Sequence, residues 1–148
     1  MKITILSSDS ELSLEIKDQL DNYWKDYISY LLDHAVLNKS DVMYQESEGV
    51  LTLKLRRNLF EKKRKKLFGL NLLVFDKHNT QKSILIIKDI ENCIIRDEDR
   101  FNENEVILGG MSINGNEIYI GSFCEKENSY GITLKVKKLN IILEDIAE

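Results

Sequence analysis

The chain contains no proline. Average usage of about 5% would place around seven in a chain this long. No loop is therefore stiffened by a pyrrolidine ring, and no polyproline linker separates domains. Turns must rely on Gly, Asn and Asp. Cysteine is almost as scarce. Cys93 and Cys124 stand far apart, so no disulfide framework is expected, and each reads as a free thiol serving as a small hydrophobe within an apolar stretch. The two histidines, His34 and His78, share no zinc spacing with those cysteines. The acidic stretch from Asp97 to Glu105 has oxygen ligands but lacks the glycine that a calcium loop needs at its sixth position. Gly109-Gly110 is not followed by Lys-Ser or Lys-Thr, so it is not a phosphate loop. No metal or cofactor is expected.

Long hydrophobic runs are missing as well. None approaches the roughly 20 residues that span a bilayer. The start, Met1 to Ser8, carries one positive charge and too few apolar residues for a secretory signal. No membrane contact is expected, and the cytoplasm is the expected compartment.

What remains is the composition of a globular protein, 43% apolar and 31% charged over 148 residues. That length suits one domain, 1–148, able to bury roughly 70% of its unfolded surface. Two periods divide it. Leu20, Tyr23, Trp24, Tyr27, Ile28, Leu31, Leu32 and Ala35 recur every three or four residues, as on an amphipathic helix. Leu12 and Ile16 extend the stripe, and Ser8 with Glu11 has capping-box spacing. A helical region over about 10–36 is the favoured reading. Leu12, Leu14 and Ile16 also alternate, however, so a short hairpin over Met1 to Ile16 before a helix from Asp18 fits too.

After Val36 the period is two. Leu51, Leu53 and Leu55 alternate with Thr52, Lys54 and Arg56, and Ile84 to Ile87 is apolar on both faces like a central strand. Asn114-Gly115 marks a hairpin. Lys137-Lys138 breaks the alternation between Val136 and Leu139, which bends the last strand at a bulge or splits it in two. These readings predict an α+β fold. One long N-terminal amphipathic helix packs on a curled, mainly antiparallel sheet of about seven or eight strands, a meander over about 37–146.

The sharpest local feature is charge. Lys54 to Lys66 holds eight of the 21 Lys and Arg, opposed only by Glu61. The segment sits at about +7 in a chain of net charge -4, leaving the remainder near -11. Lys54 and Arg56 read as the outer face of a strand. Lys62, Lys63, Arg64, Lys65 and Lys66 form a free cluster in a loop or turn. They suit either an acidic surface, of a partner or of the chain itself, or the phosphates of a nucleic acid. A pI near 5.3 and the lack of a base-stacking platform favour the acidic surface. Trp24, near the edge of the helical stripe, is the single aromatic best suited to a partner contact. Asp33-His34 has the composition of a general-base pair, but a His at a helix C-terminus also serves the macrodipole.

The order helix, Asp33-His34-Ala35, then a meander ending in Ile132 to Val136 and Leu139 to Leu143, resembles small bacterial α+β proteins, some of which act as immunity proteins beside toxins. The resemblance implies a small cytoplasmic partner-binding protein and carries over no functional residue. Three functions follow as expectations. The first is a non-enzymatic protein-interaction module, an immunity or operon-partner protein. The second is polyanion binding through 54–66, and the third an enzyme using Asp33 and His34.

Overall fold

The computed structural model describes residues 1–7, 12–14, 24–59, 64–67, 70–73, 80–98, 103–123 and 130–147, with the main chain alone for 7, 12–14, 64–67 and 70–73. The expected α+β architecture does not hold. The described residues form twelve strands and one helix of nine residues, α1 (Trp24–Leu32). At its N-terminal side the long helix gives way to a hairpin, because β1 (Lys2–Ser7) pairs antiparallel with β2 (Leu12–Leu14), Ile5 opposite Leu14. The alternating reading of Leu12 and Leu14 wins there over the helical one. Ile16, Leu20 and Tyr23 lie outside the described residues. At the other side His34 takes a left-handed backbone (φ 61°) just past the last helical turn, a common way for helices to end. The chain leaves it as β3 (Asp33–Gln45), so Ala35 lies on a strand.

The remaining strands are β4 (Val50–Asn58), β5 (Arg64–Leu67), β6 (Leu70–Leu73), β7 (Thr80–Ile87), β8 (Ile90–Asp97), β9 (Glu105–Asn114), β10 (Glu117–Ser122), β11 (Tyr130–Val136) and β12 (Asn140–Asp145). Ten join one sheet in the order β2-β1-β12-β7-β4-β3-β9-β10-β11-β8, with every described pairing antiparallel. β5 and β6 pair with each other as a separate two-stranded sheet.

The alternation of apolar residues explains which face each strand buries. Leu51, Leu53 and Leu55 of β4 point into the core, as do Leu85 and Ile87 of β7. Ile84 and Ile86 are half-buried on the outer face, in keeping with a strand flanked on both sides. β9 is the fold's bend. It pairs with β3 through Glu105 to Gly109 and with β10 through Leu108 and Met111 to Asn114. One hydrophobic cluster collects inner residues from both halves, from Ile3 and Ile5 to Ile132, Leu134 and Leu143. Each such side chain contributes about 1.5–3 kcal/mol when fully buried.

Helix α1 adds Trp24, Ile28, Leu31 and Leu32 to the same cluster. It is seated against β9, where Met111 N donates to Ser29 Oγ at 3.2 Å. Gly110 (φ 107°) permits this approach, since a Cβ there would stand 2.5 Å from Ser29 Oγ. The Asn114-Gly115 hairpin forms with Gly115 and Asn116 as its two loop residues, Gly115 taking the positive φ of 61° that a first turn position needs. Lys137-Lys138 splits its strand in two, sending β11 to one half and β12 to the other. The crossing is laced by Lys137 N to Asp89 O and Lys88 N to Asn140 O, at 2.8 and 2.9 Å. No helix among the described residues is long and apolar enough to cross a membrane.

Candidate partner surface

The basic run divides on folding. Arg57 follows Leu51, Leu53 and Leu55 on the inner face of β4 and is 0% exposed. Its Nε and Nη2 donate to the two oxygens of Asp145 at 2.9 and 2.8 Å, a bidentate pair. Ser83 Oγ donates to the same carboxylate at 2.7 Å, and the N-terminal ammonium lies 3.4 Å away. Burial pushes the Asp145 carboxyl up, but the Arg57 and Ser83 hydrogen bonds and the Arg57 charge outweigh it and hold it below its usual value. Arg57 is thus a core residue of a buried polar cluster. Sequence reasoning missed it, although its two-residue spacing from Leu55 carried the signal.

Lys54 and Arg56 sit on the outer face of β4, as their alternation required. Arg64, Lys65 and Lys66 belong to β5, opposite Leu73, Leu72 and Asn71. Lys62 and Lys63 lie outside the described residues. The five do not form the expected free loop, because three of them are in a strand. Trp24 is 8% exposed and packs into the core, with Lys25 Nζ 5.6 Å from its ring. Trp24 therefore belongs to the core cluster with Ile28, Leu31 and Leu32 of the same helix.

Asp33 and His34 stand at the junction of α1 and β3, half-exposed, with His34 Nδ1 3.0 Å from Asp33 Oδ1. The His34 ring lies 4.4 Å from the exposed Phe123, and its carbonyl accepts from Asn58 Nδ2. Cys124, beside Phe123 in sequence, lies outside the described residues. Among the described residues no three His, Cys, Asp or Glu side chains converge to hold a metal ion.

The surface that the strand order creates is β8. Among the described residues it is the last strand of the sheet, paired with β11 alone. Ile94 and Ile95 point to opposite faces and are 45% and 43% exposed. On the outer face Ile94 continues a row with Thr133 and Tyr119. Tyr119 is laid over Gly121 and Gly131, where a Cβ would stand 2.5 and 2.9 Å from its hydroxyl.

The free edge of β8 runs beside the β3–β4 hairpin without pairing to it. Ile90 N donates to Gly49 O at one end (3.1 Å), and Lys39 Nζ meets Asp97 Oδ1 at the other (2.9 Å). Lys39 also sits 5.7 Å from the Tyr130 ring. Between these ties β3 pairs with β4 through Val42 to Gln45, while its pairing with β9 stops at Asn38. Val42, Tyr44 and Cys93 pack against the core only in part along this seam. Burial pushes the Cys93 thiol up, so it stays protonated at neutral pH. Two strand edges thus border an incompletely covered strip of the inner face.

No family model matches this chain, and neither a curated protein nor a solved structure matches it.

Proposed function

We propose that this chain is a non-enzymatic protein-interaction module that takes up an extended segment of another protein as an added strand along β8. The observation that carries the reading is the unpaired edge of β8 with Ile94 and Ile95 exposed on its two faces. Strand addition supplies affinity through main-chain hydrogen bonds and selectivity through alternate side chains. Edge strands of this length are normally blunted by Lys, Pro or a mid-strand bulge. β8 has neither residue, its charges Glu91, Arg96 and Asp97 lie towards its two ends and leave Ile94 and Ile95 uncovered, and its only register shift falls at its first pair. A toxin as the partner, which the sequence resemblance implies, is a narrower form of the same proposal.

The test places a photoreactive residue at Ile94 and, as control, at Lys138. One protein crosslinked in stoichiometric yield from Ile94 alone, and lost in the Ile94→Lys/Ile95→Lys variant, is the expected result. Equal yields from both positions, or none, would contradict it.

One observation favours a second reading, polyanion binding through 54–66: Lys54 and Arg56 share an outer face with Lys82 on the neighbouring strand. Fluorescence anisotropy with DNA and RNA at low salt decides it, since phosphate contacts are strongest there.

A further inference from the structure

β3 and β4 separate at one point. Leu37 pairs with Leu55 and Val42 with Leu53, so residues 38–41 of β3 stand opposite Lys54 alone. Such bulges re-aim side chains and recur beside binding and active sites. Asn104 fixes this one. Its carbonyl accepts from Lys39 N at 2.7 Å and its Oδ1 from Ser40 N at 3.0 Å, while its Nδ2 donates to Ser40 Oγ at 3.2 Å. The displaced segment borders a cleft of about 480 Å³. Small-molecule sites commonly fall between about 300 and 1,000 Å³.

The cleft gathers charges of both signs. Lys54 and Lys82 line it from β4 and β7, Asp41 from the bulge and Glu105 from β9. None of these four forms an ion pair among the described residues. Arg56 also lines the cleft, but it is engaged with Thr80 Oγ1 at 3.3 Å and the argument does not need its charge. Asn38 stands opposite Glu105 on β3, the strand between the two groups, and Val36 and Ile146 supply apolar lining.

Spacing keeps the two groups apart. Successive strands are about 4.8 Å apart, so Lys54 and Glu105 are separated by roughly 10 Å of sheet and Lys82 and Glu105 by roughly 14 Å. A molecule with a charge at each end fits between them, and an extended dipeptide spans about 7 Å. A phosphate or a nucleic-acid strand would meet the carboxylates of Asp41 and Glu105 in the same cleft, which disfavours it there. A simple cation or anion would use only one of the two groups. We propose that this cleft binds a short zwitterion of dipeptide size, its carboxylate towards Lys54 and Lys82 and its ammonium towards Asp41 and Glu105. The site is separate from the β8 edge and stands or falls independently of it.

Two-dimensional NMR with the full chain tests the proposal. The probes are the dipeptide Ala-Leu, its N-acetyl form, which lacks the ammonium, and its C-terminal amide, which lacks the carboxylate. Each is compared with sodium chloride of equal ionic strength. Saturable shifts confined to residues near Asn38, Lys54, Lys82 and Glu105 are expected. Ala-Leu should bind about fivefold more tightly than either capped form, as an exposed ion pair at the upper end of its range allows. Lys82→Gln should narrow the preference over the amide and keep that over the acetyl form, and Glu105→Gln should do the reverse. Shifts equal to those in chloride would overturn the site. Equal affinities for the three forms, or variants that leave both preferences unchanged or narrow both alike, would overturn the zwitterion assignment.

Discussion

Removing the carboxylate of Asp145 should destabilise the protein more than any surface change. Arg57 is fully buried and its Nε and Nη2 both donate to Asp145, so Asp145→Ala removes this bidentate carboxylate from a guanidinium in the core. Ser83 Oγ loses its acceptor in the same step. Breaking a buried pair from one side costs about 3–5 kcal/mol. For a chain of this size that corresponds to a fall of roughly 6–20 °C in melting temperature. Urea titration with fluorescence detection measures it directly. Replacing both partners, Arg57→Met with Asp145→Leu, should recover most of the loss, because two apolar groups leave no buried side-chain charge unpaired, only the N-terminal ammonium at the rim. The carboxyl is held below its usual value in the folded chain. Its contribution is therefore complete above the unfolded value near pH 4 and is lost as pH falls through the lower folded value. The gap between the native chain and Asp145→Asn should be constant near neutrality and shrink only below about pH 4. A loss under about 1 kcal/mol for Asp145→Ala, or a gap that closes near pH 6, would refute the reasoning.

Other consequences can be checked by the same methods. Gly49→Ala forces a left-handed backbone (φ 64°) and sets a Cβ 2.8 Å from Ile90 O. The backbone alone costs about 1–2 kcal/mol, and the seam contact between Gly49 O and Ile90 N should weaken with it, as amide exchange at Ile90 would report. Gly131→Ala should destabilise the native chain by displacing Tyr119, yet cost much less in a Tyr119→Ala background; equal costs in both would show that the ring does not rest on the glycine. Cys93, its thiol pushed up by burial, should react with iodoacetamide at pH 7.4 more slowly than a free thiol, as mass spectrometry of the labelled peptide would reveal.

The strands were legible where local alternation and burial agree. Leu51, Leu53 and Leu55 repeat every second residue because one face of β4 meets the core, and the Gly115 turn is fixed by its own φ. The helical reading extends too far at Leu12 because that residue satisfies both periods, and only pairing with β1 decides between them. Pairing between distant strands leaves no trace in a local window. The candidate surface was hidden for that reason. Ile94 and Ile95 read as an ordinary apolar stretch, and only the strand order, which puts β8 last, exposes them. Likewise Lys54 and Arg56 were placed correctly on an outer face, but Lys82 joins them through the Arg56–Lys82 register. Trp24 lies inward because the face of the helix that carries it, with Ile28, Leu31 and Leu32, packs into the core.

The central claim is that β8 offers a free edge, and hydrogen exchange resolved residue by residue tests it in the isolated chain. In an antiparallel pair each residue directs both main-chain groups towards its neighbour or both away. Amides from Glu91 to Asp97 should therefore alternate, those facing β11 protected and those facing the seam exchanging fast. Uniform protection along β8 in a monomeric sample would show that the chain already covers this edge, and would contradict the account.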